Sequence, residues 1–397
     1  MRDMIIELEE HRRALVPRDS LPEELGLLLH REYSKKIEIE FPTIANDYNW
    51  RLTSLGWVGQ IRLSKEISLK MLPKVSLKNI FGMLEYAYDL KSFDLRQEID
   101  HYGSIEELFE RLVKILSMKV LLRIKRGLYG NYIPYTDSLS YVRGRLETDE
   151  IVRKPWNIRP ICSYEDHTRD VEENQILAWT MKWVIMSGIV NQETLLLAQK
   201  AYRSLRQIVA EIPYDSSSCV SRLYNRLNDD YRPMHLLCRF FLENCGPSLE
   251  NGDRQSVAFT VNMARLYELF VARWLESHLN DSYTLKAQEK VSVSGGTLQF
   301  NIDLVLYDRY TGKAVAVMDT KYKTRESPSN ADFYQVTTYA LSKGCDKAFL
   351  IYPSDLKSPF HESVNNIQVR SLTFPLSGNL ESNGEEFMEQ LHINLKR

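Results

Sequence analysis

Leu298-Gln-Phe-Asn-Ile-Asp-Leu-Val-Leu306 and, past a turn, Ala314-Val-Ala-Val-Met-Asp-Thr-Lys-Tyr322 decide how this chain reads. Both runs are rich in β-branched and large apolar residues and have strand length, and Asp308, Thr311 and Gly312 between them supply turn chemistry, so they read as neighbouring strands. Side chains alternate along a strand, which places Leu298, Phe300, Ile302, Leu304 and Leu306 on one face and Asn301, Asp303 and Val305 on the other. The same period puts Asp319 and Lys321 on one face of the second strand, with Met318 and Thr320 turned away. If the strands pair through their short turn, Asp303 and Asp319 converge, with Lys321 beside them.

Working outward, Val257 to Leu279 carries Met263, Leu266, Phe270, Trp274 and Leu275 at helical spacing and reads as an amphipathic helix opening the domain. Ser282 to Val293 reads as a third strand, Ala331 to Ser342 as a second helix, and Ala348 to Tyr352 as an apolar strand. The order α-β-β-β-α-β predicts a mixed domain with helices layered on a sheet.

Two carboxylates converging at a strand edge make an oxygen-rich site for a hard divalent ion, which needs few protein ligands and keeps several waters. Mg2+ fits best, with Mn2+ as a substitute. Such an ion can polarise a phosphodiester and stabilise the charge of its displacement, and Lys321 can orient water or meet negative charge on phosphate. Glu268, on the opening helix, is a candidate third ligand, direct or through water. Gln335 and Tyr339, four residues apart on the second helix, share a face and can support the site or touch a DNA backbone. Each residue also has a plainer reading. An Asp-x-Lys pair is common on solvated sheet faces, Glu268 suits a solvent-facing helix position, Tyr339 suits the core and Gln335 a packing contact. The ordered set is much rarer than any member.

The rest of the chain is ordinary in composition, with a formal net charge of −2, so contact with nucleic acid must rest on local patches. Five cysteines without CxxC or finger spacing predict unpaired buried thiols in a reducing, cytoplasmic setting and argue against zinc. No run is apolar for long enough to span a membrane, and the start, through Glu10 and Arg13, lacks the apolar centre of a signal peptide. His101, His167, His235 and His278 have no mutual spacing of a metal site or triad and read as surface or satisfied core histidines. Changes of character near Pro73 and in the Gly246 to Asp253 turn segment predict three regions. Residues 1–75 form a small β-rich domain. Residues 76–250 form a helical region with helices over Leu77 to Leu90, Ile105 to Ile124 and Gln175 to Val190. Residues 251–397 hold the α-β-β-β-α-β domain. Within the middle region, Gly127 to His167 interleaves Arg143, Arg145, Arg153, Lys154 and Arg159 with Tyr129, Tyr132, Tyr135, Tyr141 and Trp156. It reads as an extended hairpin suited to phosphate contact or to a protein interface.

Phe300-Asn-Ile-Asp-Leu-Val-Leu306, Val317-Met-Asp-Thr-Lys-Tyr-Lys323 and Tyr334-Gln-Val-Thr-Thr-Tyr339 together resemble the PD-(D/E)xK nuclease core. More closely, the chain resembles the McrC-like nuclease subunits of McrBC-type (type IV) modification-dependent restriction systems. Supporting pieces are Leu72-Pro-Lys-Val75, Met83-Leu-Glu-Tyr-Ala87, Arg143-Gly-Arg-Leu146, Glu173-Asn-Gln-Ile-Leu177 and Leu266-Tyr-Glu-Leu-Phe-Val271, so the likeness runs from about residue 55 to the C-terminus.

The resemblance implies an α+β multidomain chain ending in a PD-(D/E)xK domain, and a Mg2+-dependent endonuclease with Asp303, Asp319 and Lys321 as its catalytic set. It further implies docking on an McrB-like AAA+ GTPase ring, stimulation of that GTPase, and cleavage of methylated double-stranded DNA. The chain has no Gly-x-x-x-x-Gly-Lys-[Ser/Thr] loop, so a nucleotide-driven motor must come from that partner. Because partner contacts in such systems lie in the N-terminal part, Arg143 and Arg145 are assigned to docking. A non-catalytic stimulator of an AAA+ partner and a stand-alone nuclease are the competing functions; retention of Asp303, Asp319 and Lys321 favours a working nuclease.

Overall fold

A computed structural model describes residues 4–64, 66–90, 104–220, 222–247, 257–292, 299–323 and 329–396. Leu298, Val293, His101 and most of the Gly246 to Asp253 turn lie outside these residues. The chain is a mixed α+β protein of two compact units, one made of residues 1–107 and 247–397, the other of residues 108–246.

Among the described residues the first unit holds three sheets. Arg13–Val16, Trp50–Ser54 and Ile37–Glu40 form a small antiparallel sheet. The helix Glu23–Tyr33 packs on it, and Trp50, Leu29, Ile37 and Leu52 close its core. Met4–Glu9 runs parallel to Ile67–Leu72, which pairs antiparallel with Trp57–Arg62. Val257–Asn262 then adds antiparallel to Trp57–Arg62, pairing Thr260 with Gly59. This strand corrects the expectation of a helix from Val257. The run Val257-Ala-Phe-Thr-Val261 is short and β-prone, and the helix begins only at Met263, where the Asn262 side chain accepts the Arg265 amide at 3.1 Å. Gly59 makes the junction possible: its φ is +130°, and a Cβ there would lie 2.2 Å from the Phe259 carbonyl oxygen. A strand from the far side of the sequence is thus part of the N-terminal sheet, which continues beyond it to Cys245–Pro247.

The third sheet has six strands among the described residues. Tyr283–Ser292, Gln299–Asp308 and Ala314–Thr320 form an antiparallel meander. The helix Asn330–Lys343 crosses over to Lys347–Tyr352, which lies parallel to Ala314–Thr320. Ile367–Thr373 continues parallel, and His361–Val364 closes the edge antiparallel to it. Val317, Leu350 and Val369 pack with Val336 and Ala340 of the crossover helix. Ala316, Met318, Phe349 and Ile351, alternating with them, are equally buried. Both faces are thus covered, which explains why Val305 is fully buried although it shares the face predicted for Asp303. The helix Met263–His278 packs against Tyr283–Ser292 and Ala314–Thr320 and against the final helix Leu380–Lys396.

The second unit is built from the helices Glu172–Ser187, Gln192–Arg206 and Tyr231–Asn244 with most of Ile105–Arg126, and one sheet. The last two of its own helices were not read from the sequence. In the sheet, Asn131–Ser138 and Arg145–Leu146 flank Ile161–Thr168, all antiparallel, where the sequence predicted a hairpin. His235 is fully buried, its Nε2 3.0 Å from the Glu173 carbonyl and its Nδ1 2.8 Å from the Tyr224 hydroxyl, so it is a satisfied core histidine. Cys162, Cys219, Cys238, Cys245 and Cys345 are all buried and unpaired. No helix among the described residues is long and apolar enough to cross a membrane.

Candidate active site

The pairing of Leu304 with Met318 and of Val305 with Val317 brings Asp303 and Asp319 to the same level of adjacent strands, where the regular ladder stops. The Asp303 Oδ2 accepts the Thr320 amide at 3.0 Å and the Thr320 hydroxyl at 3.1 Å, so the end of one strand is tied to the carboxylate of the other. Asp319 is 1% exposed. Burial, then the charge of Asp303, pushes its carboxyl up to about 7, against the pull of Lys321. A buried carboxylate beside a second one is electrostatically costly, and a cation relieves that cost.

One cation is already present. Lys321 Nζ lies 2.6 Å from Asp319 Oδ2, 3.7 Å from Asp332 Oδ1 and 3.0 Å from the Gln335 Oε1, which accepts from it. Burial opposes its charge, but Asp319, Asp332 and Asp303 outweigh burial and raise its pKa. The surrounding carboxylates thus favour the charged ammonium form of Lys321. Apart from the ion contact, the buried Oδ2 of Asp319 has no hydrogen-bond partner, and neither has the Oδ2 of Asp332.

The like-charge pair, relieved so far by the Lys321 ammonium, fits a hard divalent ion. Among the described residues no three Asp, Glu, His or Cys gather to hold a metal unaided. Two carboxylates with water and substrate oxygens are the usual sphere of magnesium, so the donor set agrees with that ion rather than with zinc.

Glu268 approaches from the helix Met263–His278. Its carboxylate pairs with Arg265 at 2.7 Å and accepts from the Gln288 amide, and burial followed by the charge of Asp303 raises its pKa. It therefore feels Asp303, while its direct bonds run to Arg265 and Gln288. Gln288 was not read from the sequence. It sits opposite Asp303 between the pairs Ala287–Leu304 and Glu289–Ile302, and has a φ of +54°. A left-handed glutamine inside a strand costs on the order of 1–3 kcal/mol, and here it turns the side chain to donate to Glu268 and accept from Asn301.

Gln335 bridges Lys321 and the Tyr339 hydroxyl, to which it donates at 2.7 Å. Tyr339 is buried in the core cluster against Phe300, which agrees with its core reading while leaving its hydroxyl in the site's network. Asp332, also missed, is capped into place by Ser329 at 3.2 Å and receives Lys323 at 3.2 Å. Its only sequence signal is the Ser-x-x-Asp helix start.

In the second unit, Arg143 is anchored 3.0 Å from Asp166 with its guanidinium over the Tyr164 ring at 4.3 Å. Arg145 is exposed on the neighbouring strand. Trp156 is 76% and Ile158 98% exposed nearby in sequence, an apolar content that solvent alone does not favour.

A family model for the "McrBC 5-methylcytosine restriction system component" matches residues 52–353. The "Type IV methyl-directed restriction enzyme EcoKMcrBC" of Escherichia coli (strain K12) is 22% identical over 233 residues, 56% of this chain. The match spans 65% of that relative's length. Among solved structures, the assembly of Thermococcus gammatolerans McrB AAA+ hexamers with bound McrC contains a chain similar to this one with a TM-score of 0.55 and 16% identity. It covers 98% of this chain and 100% of that one, a likeness of fold. The Thermococcus gammatolerans McrBC complex matches with a TM-score of 0.44 and 18% identity, over 70% of this chain and 89% of that one.

Proposed function

Since this chain belongs to the family of McrBC 5-methylcytosine restriction system components, we propose that it is the DNA-cutting subunit of such a system, a Mg2+-dependent endonuclease with a PD-(D/E)xK core. The observation that carries this reading is the strand-end cluster in which Asp303 and Asp319 meet and Lys321 stands 2.6 Å from Asp319. Asp303 and Asp319 would hold the divalent ion, and the chemistry it supplies when bound is neutralisation of charge at the scissile phosphate. Thr320 fixes Asp303 through two hydrogen bonds. Gln335 and Asp332 hold the Lys321 ammonium at the cluster, where it stabilises developing negative charge and orients the attacking water. Gln288 and Arg265 position Glu268 beside the cluster, where it feels the charge of Asp303.

Activity is proposed to require a separate AAA+ GTPase ring on which the chain docks, with methylated double-stranded DNA as substrate. The relative solved with bound McrB hexamers supports that partner class. Arg143, Arg145, Trp156 and Ile158 lie close in sequence, with Arg145, Trp156 and Ile158 exposed, and combine the Arg and aromatic side chains enriched at interfaces. The deciding experiment is cleavage of methylated and unmethylated plasmid in Mg2+, with and without the GTPase and GTP, comparing wild type with Asp319→Ala. Cutting that needs partner and GTP and vanishes in the variant supports the nuclease subunit; identical behaviour of both proteins would leave only a stimulator of the ring.

A further inference from the structure

Lys321 has two buried carboxylates in range, and only one of them holds it closely. Its Nζ is 2.6 Å from Asp319 Oδ2 and 3.7 Å from Asp332 Oδ1. Asp319 lies near the end of the strand Ala314–Thr320, whereas Asp332 lies in the first turn of the helix Asn330–Lys343. Gln335, three residues on and so on the same helix face as Asp332, accepts the Lys321 ammonium through its Oε1 at 3.0 Å. Its amide nitrogen is committed to the Tyr339 hydroxyl at 2.7 Å, which keeps the Gln335 oxygen turned toward Lys321. Asp332 is itself 4% exposed, and its backbone amide is fixed by Ser329 Oγ at 3.2 Å. Its Oδ1 also meets Lys323 at 3.2 Å, and among the described residues its buried Oδ2 has no hydrogen-bond partner. The Lys323 side chain is 43% exposed and can turn to water at little cost, so Asp332 retains room for a second, buried cation.

The close pairing with Asp319 conflicts with the role that the nuclease reading gives that residue. Asp319 cannot serve a divalent ion and also keep an ammonium at 2.6 Å without bringing two cations onto one carboxylate, where burial leaves their repulsion poorly screened. Lys321 then needs another counter-charge, because a buried ammonium without one is costly. Among the described residues Asp332 is the other carboxylate within ion-pair range of it. An ammonium bonds a carboxylate at about 2.8 Å, so a shift of roughly 1 Å completes the second pair. Such a shift is small for a lysine, whose four-carbon stem is flexible.

We propose that Lys321 is a two-position lysine and Asp332 its receiving carboxylate: Lys321 pairs with Asp319 until that residue takes up a divalent ion, and is then handed to Asp332. The inference rests on the nuclease reading for the ion. Asp332 acts through Lys321 and is therefore a positioning residue. It sets how readily Asp319 is released to a metal, and it keeps the displaced ammonium beside the cluster.

The test is calorimetric titration of the full chain with Mn2+, without DNA or partner, as a double-mutant cycle over Asp332→Asn and Lys321→Met. Lys321→Met removes the competing ammonium and should tighten Mn2+ binding by roughly tenfold. Asp332→Asn in the wild-type background should weaken it by roughly tenfold, because Lys321 then has no second carboxylate to receive it. In the Lys321→Met background the same substitution should change the affinity by less than about threefold. An Asp332 that is merely structural, or that acts only through its charge at a distance, would weaken binding equally in both backgrounds. That result, an unmoved affinity in Asp332→Asn, or looser binding in Lys321→Met would overturn the hand-over and leave the metal site standing. Mn2+ binding that is absent from wild type, or indifferent to Asp319→Ala, would instead overturn the metal site and the hand-over with it. Thermal melts show whether Asp332→Asn folds; if it does not, Lys321→Met alone decides, since tighter binding there requires competition at Asp319.

Discussion

Asp319→Asn separates what the site needs for chemistry from what the fold would prefer. The carboxyl of Asp319 is pushed from an ordinary 3.8 up to about 7 by burial and by Asp303. A folded pKa above the unfolded one means that the folded chain holds the extra proton between those values. The stabilising protonated form is fully present below pH 3.8 and is lost as pH rises through about 7. Three units at 1.36 kcal/mol each make the ionised state at pH 8 costly by roughly 4 kcal/mol before relaxation. Asparagine keeps the shape and removes the charge, but also removes the partner of Lys321, so a net gain of about 1–3 kcal/mol remains. In chelator at pH 8 the variant should therefore melt several degrees above wild type, at about 2–4 °C per kcal/mol for a unit of this size. Near pH 5.5 the difference should shrink, because wild type is then protonated. Mg2+ should raise the melting temperature of wild type and leave the variant nearly unmoved, while cleavage is lost. Thermal melts in chelator at the two pH values, with and without added Mg2+, make the measurement. A variant less stable than wild type at pH 8 in chelator would refute the like-charge account of the site.

If Arg143 and Arg145 dock the ring as proposed, Arg143→Glu with Arg145→Glu should abolish stimulation of the partner GTPase while leaving the melting temperature within about 2 °C, because both side chains are surface placed; unchanged stimulation in a GTP hydrolysis assay would remove the two residues from the interface. Gly59→Val should destabilise the first unit by roughly 2–4 kcal/mol in urea titration, since it adds a Cβ against the Phe259 carbonyl at a φ of +130°. His235, lowered by burial to about 4, is neutral when folded. Its folded pKa lies below the unfolded value of 6.5, so stability should fall as pH drops from about 6.5 toward 4, by up to roughly 3 kcal/mol. Denaturant melts of His235→Asn, which cannot be protonated, should lack that part of the slope.

The sequence by itself determined the centre of this protein. Strand-length apolar runs with a turn of Asp308, Thr311 and Gly312 placed Gln299–Asp308 beside Ala314–Thr320, and a period of two brought Asp303, Asp319 and Lys321 together, because strand alternation is a local rule that does not depend on the rest of the fold. The helix Asn330–Lys343 and the strand Lys347–Tyr352 were equally legible. What only tertiary structure decided involves partners far apart in the chain. Val257–Asn262 became a strand because Trp57–Arg62 offered it an edge, which no local window contains. Gln288 took a left-handed φ because Glu268 and Asn301 stand on either side of it, and nothing in a glutamine's local sequence announces that demand. The protonation of Lys321 and the raised pKa of Asp319 followed from burial and neighbouring charge, quantities that exist only after the chain has closed around the site.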